Sequence, residues 1–474
     1  MKSINFKQSI VFTIGLLLSI ISLSLSAADL HVGSGQTYST VQAAVDDASS
    51  GDVIIIHAGT YREEVNIDVS NITIRAKSGD EVTMNGCEAL LSWTDEGSGV
   101  YSTTMDWDID EDRQENQIFV DGKMIHVARW PNENDDIVVD ANRAQMDEVE
   151  RIDEGTRETD ITDSEVSSEP DARWVGAKIY INLSNPTNQK DGQGYTGIVD
   201  DKSGSVITTK TTTDYTGIKY IGDENWGVDK DSYYFLYDPT PSAVSASGGV
   251  EALLDKGEWW KDGNTLYVKT PDGEAPASSL TGDNLVEAKK YPFCFRPQGS
   301  SGYLTDVTIK GLKLFATSIT TDNDYSHDAD APLSSSSGVV IDSIHAKYVY
   351  HTYDCRGQWQ HYFNGRSGII LTGEDHELKN SIIVYSAGSG ISLTGKRHYI
   401  YNNIIHDVNY MIGESGAINN GTTGNTVSED HEIAYNTIYN TPHCAISIRT
   451  LENSDANNKG VARIHHNYIY NTLT

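Results

Sequence analysis

Two carboxylates pose the chemical question in this chain. Glu414 sits in the run Met411-Ile412-Gly413-Glu414-Ser415-Gly416, and Asp407 closes Ile404-Ile405-His406-Asp407 seven positions earlier. A carboxyl that holds a proton beside one that is ionised can share acid and base duties at a single bond. Both lie among repeated segments. Ser367-Gly368-Ile369-Ile370-Leu371-Thr372-Gly373 and Ser389-Gly390-Ile391-Ser392-Leu393-Thr394-Gly395 nearly coincide 22 residues apart, and Ala417-Ile418 and Ala445-Ile446 continue the series at spacings of 27 and 28. Aligning the copies on Ile391, Ile418 and Ile446 puts Glu414 and His443 in adjacent columns of neighbouring copies. Alternation along a strand turns Ile418 inward and Asn419 outward, and projects Arg449 outward beyond Ile446 and Ile448. The pattern therefore assigns Glu414 and Asp407 to proton transfer or nucleophilic attack, and His443, Arg449 and Asn419 to ligand binding. A slip of one residue would invert every one of these orientations. Asp407 also aligns with Asn440 and Asn471, which a purely structural column of polar turn residues would give equally well.

A second cluster interrupts the repeat just before its regular copies. His351-Thr352-Tyr353-Asp354-Cys355-Arg356-Gly357-Gln358-Trp359-Gln360-His361 brings together an acid, a cation and an aromatic ring. Asp354, Arg356 and Trp359 have the composition of a ligand subsite, while Asp354 and Arg356 would serve as well as a surface ion pair.

What must position these residues is a stack of short strands. Near the start, a capping helix is predicted around Val41 to Ala48, followed by Gly51-Asp52-Val53-Ile54-Ile55-Ile56-His57, the turn Ala58-Gly59-Thr60-Tyr61, the strand Val65 to Val69 and the strand Asn71-Ile72-Thr73-Ile74. Short apolar strands punctuated by Gly, Asn and Asp, with no room for helices between them, fit a coil of parallel strands. A second series, through Ser381, Asn403, Asn436 and Asn467, interleaves with the first, and matching asparagines at successive turns can stack in a ladder. The predicted fold class is all-β, a right-handed parallel β-helix with a β-rich insertion. Residues 1–28 form a signal peptide, 29–90 a cap and the first coils, 91–290 the insertion, and 291–474 the main β-helix. The insertion holds Trp93, Trp107, Trp130, Trp174, Trp226, Trp259 and Trp260, more as core residues than as sugar platforms. Its acidic stretch from Glu133 to Asp171 is expected to be a solvated loop. The chain stops at Asn471-Thr472-Leu473-Thr474 within a rung, so the β-helix is expected either to be truncated here or to be covered by a partner.

Composition narrows the function. Lys2 and Lys7 precede an apolar run from Ile10 to Leu25, with Ser26 and Ala28 at cleavage-compatible spacing, so the protein is expected to be secreted, to the periplasm or beyond. No later segment is apolar enough to span a bilayer. The formal net charge of −33 argues against nucleic-acid partners, which need clustered Lys and Arg, and mildly against polyanionic glycans unless cations bridge. Four dispersed cysteines, Cys87, Cys294, Cys355 and Cys444, have no metal-binding spacing. No cofactor is expected, and Ca²⁺ would enter only as a structural or substrate-bridging ion.

Gly51-Asp52-Val53-Ile54 with Gly59-Thr60-Tyr61-Arg62-Glu63, the later Asn-x-Ile coils and the inserted region together resemble the pectate-lyase-like superfamily of right-handed β-helix enzymes, over residues 29–474. More narrowly, Phe119-Val120-Asp121-Gly122-Lys123, Ala128-Arg129-Trp130-Pro131-Asn132, Leu254-Asp255-Lys256-Gly257-Glu258-Trp259-Trp260 and Thr265-Leu266-Tyr267 resemble β-helix glycoside hydrolases with α-L-fucosidase and xylanase members. The resemblance implies a groove on one face of the stack, holding an extended glycan over catalytic side chains from neighbouring rungs. Strands stack roughly 4.8 Å apart, and paired glycosidase carboxyls lie about 5 to 5.5 Å apart in retaining enzymes and about 6.5 to 9.5 Å in inverting ones. Neighbouring rungs can supply either. The leading expectation is thus a glycoside hydrolase acting on a polysaccharide. A polysaccharide lyase is one alternative, although Lys396, Arg397, Arg449 and Arg463 form no lyase motif and no aspartate cluster suits calcium. A non-catalytic glycan-binding or adhesin-like protein is the other.

Overall fold

The computed structural model describes residues 27–109, 114–132, 143–153, 158–182, 194–210, 232–299, 302–323, 335–353, 367–411, 415–420, 428–442, 444–448 and 461–472. The chain winds into a right-handed parallel β-helix with three faces. Face one stacks nine parallel strands, from Asp29–Val32 to Arg463–His465, and face two stacks eight, from Gly59–Tyr61 to Tyr468–Thr472. Face three begins with Val65–Ile67, Phe293–Pro297 and Ser318–Ile319 and continues through Ile369–Glu374, Ile391–Lys396, Gly416–Asn420 and Cys444–Ser447.

Apolar columns hold the rungs together. On face one, Ile54, Ile74, Ile309, Ile341, Leu378, Ile400 and Ile433 are partners in unbroken register, and all are fully buried. Each such side chain contributes about 1.5–3 kcal/mol by leaving water. On face three the register Ile391, Ile418, Ile446 is the one read from the sequence.

The corners explain the Asn, Asp and Gly punctuation. Between faces one and two, Gly311, Ser343, Asn380, Asn402, Tyr435 and His466 all take left-handed φ values, and between faces two and three so do Ala316, Tyr348, Tyr385, Asp407, Asn440 and Asn471. The third corner repeats this with Asn71, Asp306, Gly338, Asp375, Arg397 and Asp430. Left-handed backbone costs L-residues least when they are Asn or Asp.

Two polar ladders run inside the stack. Asn403 and Asn436 each donate a backbone N–H to the Oδ1 of the next asparagine, Asn436 and Asn467, at 3.0 and 2.9 Å. Their side-chain amides donate to the carbonyls of Leu378 and Ile400 at 2.9 Å. At another corner the rings of His376, His398 and His431 stack with centroids 5.0 and 4.9 Å apart.

At the top, the helix Val41–Asp46 closes the core with Val41, Ala44 and Val45. Glu63, from the Gly-Thr-Tyr-Arg-Glu motif, accepts the Val41 and Gln42 N–H groups at 2.8 and 2.9 Å. The neighbouring Arg62 pairs with buried Glu287, tying the first rungs to the far end of the insertion.

The insertion is rooted in the antiparallel pair Cys87–Leu90 and Val286–Lys289 and carries two mainly antiparallel sheets. Asp121 and Gly122 form the tight left-handed turn of a hairpin that pairs Val120 with Lys123. One expectation needs correction. Within the acidic stretch the described segments Glu148–Asp153 and Glu158–Thr162 form a hairpin rather than a solvated loop. Alternation decides it, because Thr159 and Ile161 point into a core shared with Trp174 and Ile207 while their acidic neighbours point outward.

Candidate functional site

Asp407 lies near the end of the face-two strand Ile404–Val408, in the left-handed column at the corner. Its Oδ1 accepts a hydrogen bond from Asn440 Nδ2 at 2.9 Å, and its Oδ2 lies 2.5 Å from His406 Nδ1. Asn440 in turn accepts from Asn471 at 2.5 Å. The alignment of these three residues is therefore a real contact chain, and Asp407 is its only ionisable member. The His406 ring stacks on Tyr439 at 4.5 Å and Tyr439 on Tyr470 at 4.8 Å, each within 9° of parallel. Tyr439 is therefore covered on both ring faces, while Tyr470 at the end of the row is exposed. The Asp407 side chain keeps 13% of its surface accessible and His406 21%, leaving a fixed carboxylate in reach of solvent.

The chain that leaves this strand is pinned at both ends. The Asn409 N–H donates to Ser386 and Gly388 carbonyls at 2.8 Å, Met411 N–H to Ala387 at 3.1 Å, and Asn409 Nδ2 to the Ser415 carbonyl at 2.7 Å. Glu414 falls between these anchors but lies outside the described residues, as do His443, Arg449, Asp354, Arg356 and Trp359. Asn419 projects away from the apolar column, between Ser392 and Ser447 in register, yet it is 1% exposed rather than open to solvent. Strand alternation fixes which way a side chain leaves the stack, not whether something covers it.

A buried polar cluster that sequence reasoning missed joins the insertion to this region. Lys289 is fully buried and its Nζ donates to the amide oxygens of Gln114 and Gln117 at 2.9 and 3.0 Å. Nearby, His126 approaches the Tyr353 hydroxyl at 3.5 Å and His351 that of Tyr410 at 3.3 Å. Burial drives both histidines toward the neutral form, His351 down to about 3. Lys289-Lys290 reads in sequence as solvated charge, and only the pairing of Lys289 across the insertion root reveals otherwise. Inside the insertion, Glu258 accepts the N–H groups of Asp255 and Arg129 at 2.9 and 3.3 Å, and desolvation pushes its carboxyl up to about 8. That contact explains the shared presence of the Arg129 and Glu258 motifs as a structural brace. Among the described residues no group of three His, Cys, Asp or Glu could hold a metal ion.

A cavity of about 420 Å³ opens where the insertion meets the segment after the face-two strand His345–Tyr350. Trp259, Tyr237 and Tyr353 line it together with Asp108, Glu115, Asp238, Lys178 and Lys261.

No family model matches the chain, and no curated protein matches its sequence. Among solved structures, one described as a glycoside hydrolase superposes with a TM-score of 0.58 at 12% identity, covering 89% of this chain and 79% of that one. A complex of XylC with xylose gives 0.44 at 15% identity, covering 93% of this chain and 63%, under two thirds, of that one. The tailspike gp61 of Pseudomonas phage phi297 gives 0.21 at 9% identity, covering 87% and 45%. At this identity the first likeness speaks for the fold alone.

Proposed function

We propose that the chain is an exported glycoside hydrolase that cleaves a polysaccharide lying across the rungs between Asp407 and Asn440, with Asp407 and Glu414 as its two carboxyl groups. The supporting observation is the setting of Asp407: a side chain held by His406 and Asn440, partly open to solvent, two residues before Asn409, whose side-chain amide donates to the Ser415 carbonyl. A fixed carboxylate needs no reorganisation to receive or deliver a proton. In this reading His443 and Arg449 bind sugar hydroxyls beside the pair, Asn419, being buried, supports the rung from beneath, and Asp354, Arg356 and Trp359 extend the groove as a further subsite. Proton transfer to the glycosidic oxygen and attack by water or carboxylate complete the reaction without a cofactor.

Asp407→Asn is a clean test because asparagine already occupies the equivalent positions at Asn440 and Asn471, in the same left-handed backbone. Asp407→Asn and Glu414→Gln should each fold normally and lose at least about 100-fold in turnover on the glycan that the wild type hydrolyses. Wild-type turnover in either variant removes that residue from the mechanism. Products with an unsaturated, ultraviolet-absorbing end would instead mark β-elimination. Binding without product across a broad polysaccharide panel would mark a glycan-binding protein.

A further inference from the structure

We propose that the cavity at the junction of the insertion and the β-helix is a binding subsite for a neutral sugar residue. This concerns binding alone and stands apart from the carboxylate pair. Its volume, about 420 Å³, falls in the range of small-molecule sites and suits one or two pyranose rings. Its wall combines aromatic side chains with polar groups at fixed positions, the combination that a sugar requires for its C–H faces and its hydroxyls.

The polar groups are held before any ligand arrives. Lys261 Nζ lies 2.9 Å from Asp108 Oδ1, which also accepts Asn116 Nδ2 at 3.0 Å. Lys178 Nζ lies 2.9 Å from Asp238 Oδ2. Glu115 Oε2 accepts the Tyr353 N–H at 2.7 Å, so the β-helix segment itself closes one side. Groups already ordered lose little entropy on binding, which favours a ligand of modest size.

Charge selects the class. Among the described residues, three carboxylates and two ammonium groups line the space, and each lysine is already neutralised by an aspartate. Among the described lining residues a uronate or sulfated sugar would find no uncommitted cation, inside a protein of net charge −33. A neutral sugar can donate hydroxyls to Asp108, Glu115 and Asp238 and accept from Lys178 and Lys261 without disturbing either pair.

Titration of the full-length wild type with xylobiose, cellobiose, mannobiose and digalacturonate, read by calorimetry and by Trp fluorescence, tests the proposal. At least one neutral disaccharide should bind, with digalacturonate at least about tenfold weaker. Asp108→Ala, at a side chain 65% exposed, and Lys261→Gln should each weaken that binding about tenfold at unchanged melting temperature. Asp407→Asn should keep it. Failure of all three neutral disaccharides to bind, equal affinity for digalacturonate, or wild-type affinity in both cavity variants would overturn the subsite. Loss of binding in the cavity variants of a protein that hydrolyses nothing would leave the subsite standing and the hydrolase reading fallen.

Discussion

The Tyr180 hydroxyl, deep in the insertion, donates to the Met411 carbonyl of the β-helix at 2.6 Å. This bond joins residues 231 positions apart and fixes the strand of chain that leads to Glu414. The insertion is therefore docked on the rungs that carry the candidate site.

Tyr180→Phe removes this donor and leaves a buried acceptor. The expected loss is about 1–2 kcal/mol of unfolding free energy. Because the bond anchors Met411, turnover on a cleaved glycan should fall further than the stability change alone dictates at a temperature well below the melting point. A variant with full turnover would show that the anchoring of Met411 by the insertion does not matter to the reaction.

Close approach of backbones predicts a much larger effect at Gly395. A Cβ built there would lie 1.9 Å from the Gly373 carbonyl oxygen of the adjacent rung, at φ +113°. Gly395→Ala must therefore push two rungs apart, and a loss of about 3 kcal/mol or more is expected. Gly122→Ala is the control, since at φ +72° nothing lies within 4 Å. It bears backbone strain alone, about 1–2 kcal/mol. Equal urea midpoints for the two variants would contradict the stacked-glycine geometry.

Much of the stack was legible because a solenoid repeats its local chemistry. Ile391, Ile418 and Ile446 pair in the register that their spacing predicts, and Asn403, Asn436 and Asn467 form the ladder that matching turn residues predict. The long-range contacts were not legible. Nothing local marks Lys289 as buried, because its amide partners lie 175 and 172 positions away. The hairpin around Glu148–Asp153 and Glu158–Thr162 was hidden by its acids, although Val149, Thr159 and Ile161 supply a core face. Asn419 was expected to face outward and bind ligand, but it is buried, and burial depends on contacts that strand period does not encode.

The asparagine ladder carries its own prediction. Asn436 Oδ1 accepts from both the backbone N–H and the side-chain amide of Asn403 at 3.0 Å, while its Nδ2 donates to Ile400 at 2.9 Å. Asn436→Ala strands these buried partners, and a loss of about 2–4 kcal/mol is expected. Asn436→Asp keeps the acceptor and removes the donor, so it should recover only part of that loss. If Asn436→Ala unfolds at the wild-type urea midpoint, the ladder contributes nothing to stability.

The histidine column should make the fold sensitive to mild acid. The Val339, His376 and His398 N–H groups donate to Nδ1 of His376, His398 and His431 at 3.1, 3.3 and 3.2 Å. Each Nδ1 is therefore an acceptor, and protonation would set an N–H against an N–H. Desolvation lowers all three pKa values, His376 and His431 to about 4. Their unfolded value is about 6.5, so between these limits the unfolded chain binds more protons than the folded one. Stability conferred by the neutral rings is complete above about pH 6.5 and is lost as pH falls toward 4, with a slope of up to about 1.4 kcal/mol per pH unit for each histidine. Urea midpoints measured from pH 7.5 down to 5, above the main carboxylate range, should fall steadily. In His376→Gln the slope should be shallower by about one proton, whatever the variant's absolute stability. An unchanged slope would mean that the buried ring does not titrate on unfolding.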